Sequence, residues 1–296
     1  MKTAFILTAG NLRPGASDRR SDADLVDRQA ELLDIASRPY GIRVQSAVWS
    51  DLDPSSFEGE AVLPLAVWDY QEQPEAVMDL LQSLTDAGIP VFNPLSLIRW
   101  NSRKTYLQEL EAAGVPVVPT IWSEEPTANE VMAAFAAFET ETVVVKRQVG
   151  AGARGQVLLS RSSPLSEGRV LDRPGMIQPF MSSIRDEGEY AFIFVEGRFS
   201  HAVVKRPAPD DYRIQTRFGG TSTLYTPTEQ DLEQARQVLG AAPERPLYAR
   251  VDMVRDSHGV LRLMELEVFE PFLFAHLGDE FGKMFARALS DRLSAG

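Results

Sequence analysis

The sequence predicts an α/β fold that becomes α+β in its C-terminal part. In residues 1–100, apolar strand-like runs alternate with helical runs, which is the pattern of an open parallel sheet. From Thr142 onward, strand-like runs follow one another across short turns, which predicts antiparallel hairpins. One of these hairpins, near the C-terminus, has carboxylates at alternate positions and therefore suggests a cation site.

The composition is that of a globular protein with an acidic surface. The 296 residues are 44% hydrophobic and 24% charged, enough to bury a core. A net charge of −12 argues against a nucleic-acid or anionic-membrane partner. Cysteine is absent from the sequence, which excludes disulfides, thiolate nucleophiles and Cys-based metal sites. Apolar runs are too short for a secretory signal or a membrane span, so we expect a cytoplasmic protein.

The first hundred residues carry the elements of the parallel sheet. Strands are predicted at 3–9, 42–49, 61–68 and 89–94, and helices at 25–36 and 74–88. Ligands of such sheets bind at the C-terminal ends of the strands. Asp69 follows one of these ends, between Trp68 and Tyr70, and is a candidate substrate contact. The two aromatic residues are explained equally well as caps on the core.

A helix is predicted within residues 101–120, with Asn101 or Ser102 as its N-cap and Gly114 as its stop. Lys104 would then lie in the first turn, where a cation opposes the helix dipole unless an anion pairs with it. A solvated surface lysine is the alternative interpretation.

A glycine-rich hairpin is predicted at residues 142–160. Gly150, Gly152 and Gly155 free the backbone of the turn, so that its N–H groups can surround an anion, and Lys146 stands just before the turn. The spacing differs from a Walker motif, which needs GK[ST] at a helix start. The pattern favours a lid over an anionic ligand, with a plain flexible hairpin as the alternative.

The next segments suit a purine and a second anion. A QPFM sequence at 178–181 offers apolar side chains and free backbone polar groups for a flat base, and Glu189 offers a carboxylate to ribose. The polar stretch 207–223 is predicted to be a functional loop. Its candidate substrate contacts are Arg213, Arg217, Gly219 and Gly220. Arg206, just before the stretch, is a further candidate.

The carboxylate hairpin joins YARVDMV (248–254) to LMELEVFEP (263–271). Alternation along a strand puts Arg250 and Asp252 on one face, and likewise Glu265 and Glu267. Three carboxylates close together need a neutralising cation, and oxygen ligands without His or Cys suit Mg²⁺ or Mn²⁺. Alternating glutamates on a half-exposed strand are the ordinary alternative.

The order of these motifs resembles that of the ATP-grasp superfamily of carboxylate–amine ligases, which includes the glutathione synthetase and D-alanine ligase families. The resemblance is spread over essentially the whole chain, and its ordered motifs run from Lys104 to the MELEVFEP strand. It implies the ATP-grasp fold, with an N-terminal open parallel α/β domain on the substrate side (1–100), a central lid subdomain (101–182) and a C-terminal catalytic subdomain (183–296). ATP would lie between the two α+β subdomains.

The resemblance also implies roles for particular residues. Contacts to ATP are implied for Lys104, Lys146, Gly150, Gly152, Gly155, Gln178, Pro179, Phe180, Met181 and Glu189, catalytic roles for Arg250, Lys205 and Arg213, and binding of Mg²⁺ or Mn²⁺ for Asp252, Glu265 and Glu267. In one respect the sequence departs from those two families, which usually have Asn at the position of Glu267. A more loosely similar bacterial subgroup includes the cycloserine-forming synthetase, and we use it only to rank substrates.

The implied activity is an ATP-dependent ligation in which a small-molecule carboxylate becomes an acyl phosphate and an amine then attacks it. The substrates would be amino-acid-derived, and cyclisation of an O-substituted serine in antibiotic biosynthesis is one form of this chemistry. A small-molecule kinase and a catalytically silent nucleotide-binding module are the alternatives. We expect small-molecule partners and a homo-oligomer.

Overall fold

The structure is a computed structural model that describes residues 1–162 and 168–295. These residues contain three sheets: a parallel sheet of three strands, and two antiparallel sheets of four and five strands. The predicted mixture of α/β and α+β architecture is thus confirmed. None of the helices in the described ranges has the length and apolar composition needed to cross a membrane.

The N-terminal sheet has the strand order β2-β1-β3, with all strands parallel. Its elements are β1 (Lys2–Thr8), α1 (Ala23–Ser37), β2 (Ile42–Val48), β3 (Ala61–Ala66) and α2 (Pro74–Asp86). The predicted strand at 89–94 is wrong, because only a single bridge joins Val91 to Val62. Pro90 and Pro94 flank that bridge, and proline has no N–H to extend a ladder.

Helix α3 (Leu95–Asn101) comes first, and the predicted helix within 101–120 is the separate helix α4 (Tyr106–Ala112). Gly114 follows the end of α4 as predicted, but Asn101 ends α3 and Thr105 occupies the N-cap position of α4, so the predicted N-cap is wrong. The Asn101 side chain instead donates to the carbonyl of Leu266 at 2.7 Å and accepts from the amide of Val268 at 3.1 Å. These bonds tie the helix break to the carboxylate strand.

The central sheet has the order β4-β7-β5-β6. Its elements are β4 (Ile121–Ser123), α5 (Ala128–Ala137), β5 (Thr142–Arg147), β6 (Val157–Ser160) and β7 (Gly175–Pro179). Thr127 and Glu130 form a capping box that starts α5, and Phe135 of that helix packs on Val143 and Ile177. The predicted glycine-rich hairpin is the β5–β6 connection.

The C-terminal sheet has the order β10-β9-β8-β11-β12. Its elements are α6 (Ser183–Asp186), β8 (Glu189–Val195), β9 (Arg198–Arg206), β10 (Thr221–Tyr225), α7 (Glu229–Gly240), β11 (Tyr248–Arg255), β12 (Leu261–Glu267) and α8 (Phe281–Ala295). Strand β10 begins inside the stretch 207–223, so the predicted loop is shorter than expected. Phe281 and Phe285 of α8 belong to the same core as Leu33 of α1, which joins this sheet to the N-terminal domain.

Candidate active site

A single cavity collects most of the residues that the sequence singles out. It lies where β5, β9, β11 and β12 face the glycine-rich connection, and its wall includes side chains of the N-terminal domain. The predicted residues that line it are Lys104, Lys146, Gly150, Gly152, Gln178, Pro179, Phe180, Met181, Glu189, Lys205, Arg213, Arg250, Asp252, Glu265 and Glu267.

The charged side chains of the cavity come from strand positions that lie directly opposite one another. On β11 and β12, Arg250 pairs in register with Glu267, and Asp252 pairs with Glu265. Alternation then directs all four side chains to one face. Arg250 is bidentate on Asp252, with Nε to Oδ1 at 3.0 Å and Nη2 to Oδ2 at 2.9 Å, and also donates to Glu267.

Lys205 links two strands of the sheet to the same network. Its Nζ lies 2.5 Å from Glu189, its register partner on β8, and 3.0 Å from Asp252. Burial alone would lower the pKa of Lys205, but Asp252 and Glu189 raise it on balance. Burial would raise the pKa of Asp252, yet Arg250 and Lys205 hold it below its ordinary value. The lysine stays a cation and the aspartate a carboxylate.

Lys104 lies in the helix break and not in the predicted first turn. Its amide donates to the carbonyl of Gln148 at 2.8 Å, while its Nζ lies 2.7 Å from Glu265 and 2.6 Å from the carbonyl of Gly150. Burial lowers the pKa of this amine, but Glu265 outweighs burial and raises it. Lys104 thus joins the carboxylate strand to the glycine-rich connection.

Lys146 differs from the other cavity lysines in its surroundings. It projects into the cavity from β5, and in the part of the chain that the structure describes no carboxylate forms an ion pair with it. Burial lowers its pKa, and the more distant Glu265 and Glu189 only partly offset this effect. An anionic ligand would relieve the desolvation of this cation.

The carboxylates of β11 and β12 have the chemistry of a Mg²⁺ site. Burial, followed by repulsion from Asp252 and Glu265, raises the pKa of Glu267 to about 8 even though Arg250 opposes the shift. Such a group is short of positive charge, and its oxygen atoms suit a hard divalent ion. Over residues 1–162 and 168–295, however, no three His, Cys, Asp or Glu side chains are gathered around one point. Ion binding would therefore require the ion pairs with Lys104, Lys205 and Arg250 to loosen.

An apolar cleft adjoins the charged part of the cavity. It is lined by Val118, Val144, Met176, Phe180, Met181, Ile184 and Met264. The amide of Phe180 donates to Thr142 at 2.9 Å, whereas that of Met181 has no acceptor among the described residues. Gln178 is almost fully buried, and its Nε2 donates to the Thr120 hydroxyl at 2.9 Å. The cleft suits a flat base with the Met181 amide at its edge, while Gln178 has a supporting position.

The glycine-rich connection, residues 149–155, is held down by several contacts. The amide of Ala151 donates to Gln71 at 2.9 Å, Arg154 pairs with Glu72 at 2.9 Å, and Arg217 donates to the carbonyl of Gly152. These bonds connect a potential lid to the N-terminal domain and to the 207–220 loop. Gly155 lies outside the cavity lining, with φ of 71°, where an added Cβ would lie 2.3 Å from Nε of Arg147.

Other predicted contacts also lie outside the lining. Asp69 accepts a hydrogen bond from Trp49 Nε1 at 2.7 Å, and the exposed Arg206 donates to Thr223 at 3.4 Å. Arg217, Gly219 and Gly220 belong to the adjoining loop, and a Cβ on Gly220 would lie 2.1 Å from the carbonyl oxygen of Ile214. Their roles in substrate binding stay predictions.

Several lining residues were not predicted as site residues, and a few of them come from the N-terminal domain. Arg20 is bidentate on Asp22, at 2.8 Å for both bonds, and its guanidinium stacks 4.6 Å from the Trp68 ring. Trp68 Nε1 in turn donates to the backbone carbonyl of Glu270 at 3.0 Å. The polar stretch before α1 has no periodicity that would reveal Arg20. Glu270 had a signal, since it continues the run of glutamates on β12.

Comparisons with known proteins agree with this geometry. The chain is 28% identical over 289 residues to the cycloserine biosynthesis protein DcsG of Streptomyces lavendulae, covering 87% of this chain and 91% of that protein. The crystal structure of D-cycloserine synthetase DcsG superposes with a TM-score of 0.81 at 25% identity, over 98% of this chain and 99% of that one. The ATP-grasp ligase PsnB, in a complex with a phosphomimetic precursor variant, Mg and ADP, gives a TM-score of 0.64 at 15% identity over 99% of this chain and 97% of that one.

The chain has the fold of the ATP-grasp superfamily, and its similarity to D-cycloserine synthetase supports an ATP-dependent ligase that forms C–N bonds. The predicted resemblance to this superfamily is confirmed. Within the superfamily, residues 6–93 match the family model described as the N-terminal domain of D-cycloserine synthetase DcsG. The N-terminal domain is thus similar to that of D-cycloserine synthetase.

Proposed function

We propose that the protein converts the carboxylate of an O-substituted serine into an acyl phosphate and closes a ring onto it, as in cycloserine formation. The observation that carries this proposal is the single cavity in which Lys146, Lys205 and Arg250 face the carboxylates of β11 and β12 beside an apolar cleft. The similarity to D-cycloserine synthetase over 98% of the chain supports the choice of substrate.

Nucleotide binding would use the two halves of the cavity. The base would lie in the apolar cleft against Phe180 and Met181, with Glu189 as the candidate ribose contact. The phosphates would lie beside Lys146, whose amine has no carboxylate partner in the described part of the chain. Residues 149–155 would cover them, because residues 150–154 of this segment line the cavity.

The metal site would use Asp252, Glu265 and Glu267, with Mg²⁺ or Mn²⁺ as the ion. When bound, the ion would supply positive charge to the phosphates of ATP and fix their orientation. Burial of Glu267 and its repulsion from Asp252 and Glu265, which raise its pKa, support this assignment. Lys104 would release Glu265 for the ion and keep its bond to Gly150.

The protein side chains would promote two successive steps. In the first, a carboxylate oxygen of the substrate attacks the γ-phosphorus, the bond to the β-phosphate oxygen breaks, and ADP leaves. Lys205 and Arg250 stabilise the negative charge that develops, and Arg213 places the 207–220 loop over the substrate. Water has to be excluded because acyl phosphates hydrolyse, which is the role of the covering segments.

In the second step, a nitrogen on the serine side-chain oxygen attacks the activated carbonyl. The C–N bond closes a five-membered ring, phosphate leaves with the former carboxylate oxygen, and the nitrogen loses one proton to solvent. An aminooxy nitrogen is unprotonated at neutral pH, so the step needs no strong general base. Arg250 or the amides of the 207–220 loop would hold the carbonyl oxygen as it becomes negative.

The test is ATP-dependent phosphate release with a panel of serines of both configurations, whose side-chain oxygen carries an amino group, free or acylated. Mass spectrometry should show a cyclic product with the mass of the substrate less water, an acyl group staying on the ring nitrogen where the substrate carries one. The Glu265→Gln variant serves as the control and should lose turnover. A stable phosphorylated product would support a kinase instead, and ATP binding without ADP would support a silent module.

We further propose that the protein is a homo-oligomer. Two large apolar side chains at the end of α1 and just after it, Ile35 and Tyr40, are 50% and 43% exposed. Exposed apolar side chains indicate a contact surface where they form a contiguous patch. Light scattering with size-exclusion chromatography would give the mass, and a monomer at micromolar concentration would refute the proposal.

A further inference from the structure

Glu270 lies three residues beyond the end of β12, in the segment that connects the carboxylate strand to the wall of the N-terminal domain. Its backbone carbonyl accepts the bond from Trp68, and its side chain lines the cavity. Two residues later, the carbonyl of Phe272 accepts a bond from Nη1 of Arg250 at 2.9 Å. The segment 270–272 is therefore fixed both to the N-terminal domain and to the arginine of the charged network.

The charge of Glu270 sets it apart from its neighbours. Asp252, Glu265 and Glu267 each pair with a basic side chain. Glu270 forms no such pair with any residue in 1–162 or 168–295, and its carboxylate accepts no hydrogen bond there. Burial raises its pKa well above the ordinary value, repulsion from Glu267 and Glu265 adds to this, and the more distant Lys104 and Arg250 offset only part. A partly buried carboxylate of this kind is destabilising unless a bound cation or donor completes its surroundings.

The two ends of an α-amino acid match this arrangement. Its carboxylate and its ammonium are attached to one carbon atom, so a substrate whose carboxylate reacts beside Arg250 must place its ammonium within a few ångströms of that guanidinium. The bond from Arg250 to the carbonyl of Phe272 holds the 270–272 segment beside that guanidinium, and Glu270 lines the same cavity as Arg250. Asp22, another carboxylate of the cavity, is already paired with Arg20 and is therefore not available for the ammonium.

We propose that Glu270 binds the α-ammonium of the substrate and thereby selects amino acids over simple carboxylic acids. The inference rests on the proposed function and deepens it, because it names the group that is recognised. Glu270 orients the substrate with its carboxylate toward the phosphoryl donor and its side-chain nitrogen toward the opposite face. The ammonium gives the Glu270 carboxylate its cationic partner. Glu270 transfers neither a proton nor a phosphoryl group.

The test compares two compounds, O-amino-serine and the same molecule without its α-amino group, 3-aminooxypropanoate. For wild-type protein, KM for O-amino-serine should be about 10- to 100-fold lower than KM for 3-aminooxypropanoate. This is the usual range for one charge-assisted hydrogen bond. Glu270→Gln keeps the size and loses the charge. It should raise KM for O-amino-serine by a similar factor, leave KM for 3-aminooxypropanoate within about twofold, and leave KM for ATP unchanged.

Dependence on Mg²⁺ distinguishes this role from that of a fourth metal ligand. Glu267→Gln is the matched control and should raise the Mg²⁺ concentration needed for half-maximal rate, whereas Glu270→Gln should not. A shift of that concentration in Glu270→Gln, or an equal loss with both compounds, would overturn the inference. If wild type turns over O-amino-serine and Glu270→Gln does so with the same kinetics, the inference is overturned. The proposed function would still stand.

Calorimetry makes the test independent of turnover. Binding of O-amino-serine and of 3-aminooxypropanoate is measured with the non-hydrolysable analogue adenylyl imidodiphosphate and Mg²⁺ present. The same 10- to 100-fold preference for the amine, lost in Glu270→Gln, is expected. Wild-type protein that neither binds nor consumes the amine-bearing compound would overturn the inference together with the proposed function.

Discussion

Replacing each of two cavity lysines with methionine separates a structural cation from a ligand-binding one. Lys205 is 6% exposed and contacts Glu189 at 2.5 Å and Asp252 at 3.0 Å. Breaking a buried ion pair costs about 3–5 kcal/mol. Asp252 keeps Arg250 at 2.9 Å, and Glu189 can take up a proton because burial already raises its pKa, so the lower limit of about 3 kcal/mol applies. At roughly 2–4 °C per kcal/mol, Lys205→Met should lower Tm by about 6–12 °C.

Lys146→Met is the matched comparison, with the same change in the same cavity. Lys146 has no ion pair in the described part of the chain and its pKa is lowered by burial, so its removal should leave Tm within about 2 °C of wild type or raise it. Thermal melting at pH 7 without nucleotide measures both effects. Added ATP and Mg²⁺ should stabilise wild type but not Lys146→Met, because ligand binding adds to stability only where it occurs.

The reasoning would be refuted in either of two ways. If Lys146→Met lowered Tm as much as Lys205→Met, the unpaired lysine would have a structural role that its contacts do not show. If Lys205→Met melted like wild type, its two short contacts would contribute nothing to stability. Loss of turnover in both variants is expected and does not distinguish them, so Tm is the decisive measurement.

Three further predictions concern the covering segments and a buried histidine. Gly152 has φ of 59°, and Gly152→Val should raise KM for ATP at least about 10-fold in steady-state kinetics, because a β-branched residue disfavours that conformation and stiffens the turn. Gly220→Ala should displace the 207–220 loop, since the new Cβ would lie 2.1 Å from the Ile214 carbonyl oxygen, and limited proteolysis should cut this loop faster than in wild type. Burial lowers the pKa of His201 to about 4, so protonation favours the unfolded chain. The protein should lose about 3 kcal/mol as pH falls from 6.5 to 4, and denaturant titration of His201→Gln should show a smaller loss over that window.

Local patterns were enough to predict much of the site. Alternation along β11 and β12 placed Arg250, Asp252, Glu265 and Glu267 together, and the structure shows them in register. A hairpin has few ways to pair, so residue parity fixes which side chains share a face. The glycine-rich turn after Lys146 was recognisable for a similar reason, because glycines and a nearby cation lie within one short segment.

Contacts between distant segments were not predictable in this way. The helix periodicity around Lys104 was real, but α3 ends at Asn101, which bonds to the backbone at the end of β12, and Lys104 between the two helices reaches Glu265. Arg20 enters the cavity from a stretch that has no periodic pattern at all. Such placements depend on how the N-terminal domain packs against the other two sheets, which no local propensity encodes.

The pattern of pairing in the cavity gives a physical reason to assign ligands. Lys205, Lys104 and Arg250 each have a carboxylate partner, so the fold stabilises them without any ligand. Lys146 and Glu270 lack one in the described residues, and burial shifts the pKa of each toward its neutral form. A zwitterionic substrate and a nucleotide bound together would give each of these residues a partner of opposite charge. The nucleotide phosphate would pair with Lys146, and the substrate ammonium would pair with Glu270. The two unpaired charges have opposite signs, so they require two chemically different ligand groups in one cavity, as a ligase that joins ATP chemistry to an amino acid requires.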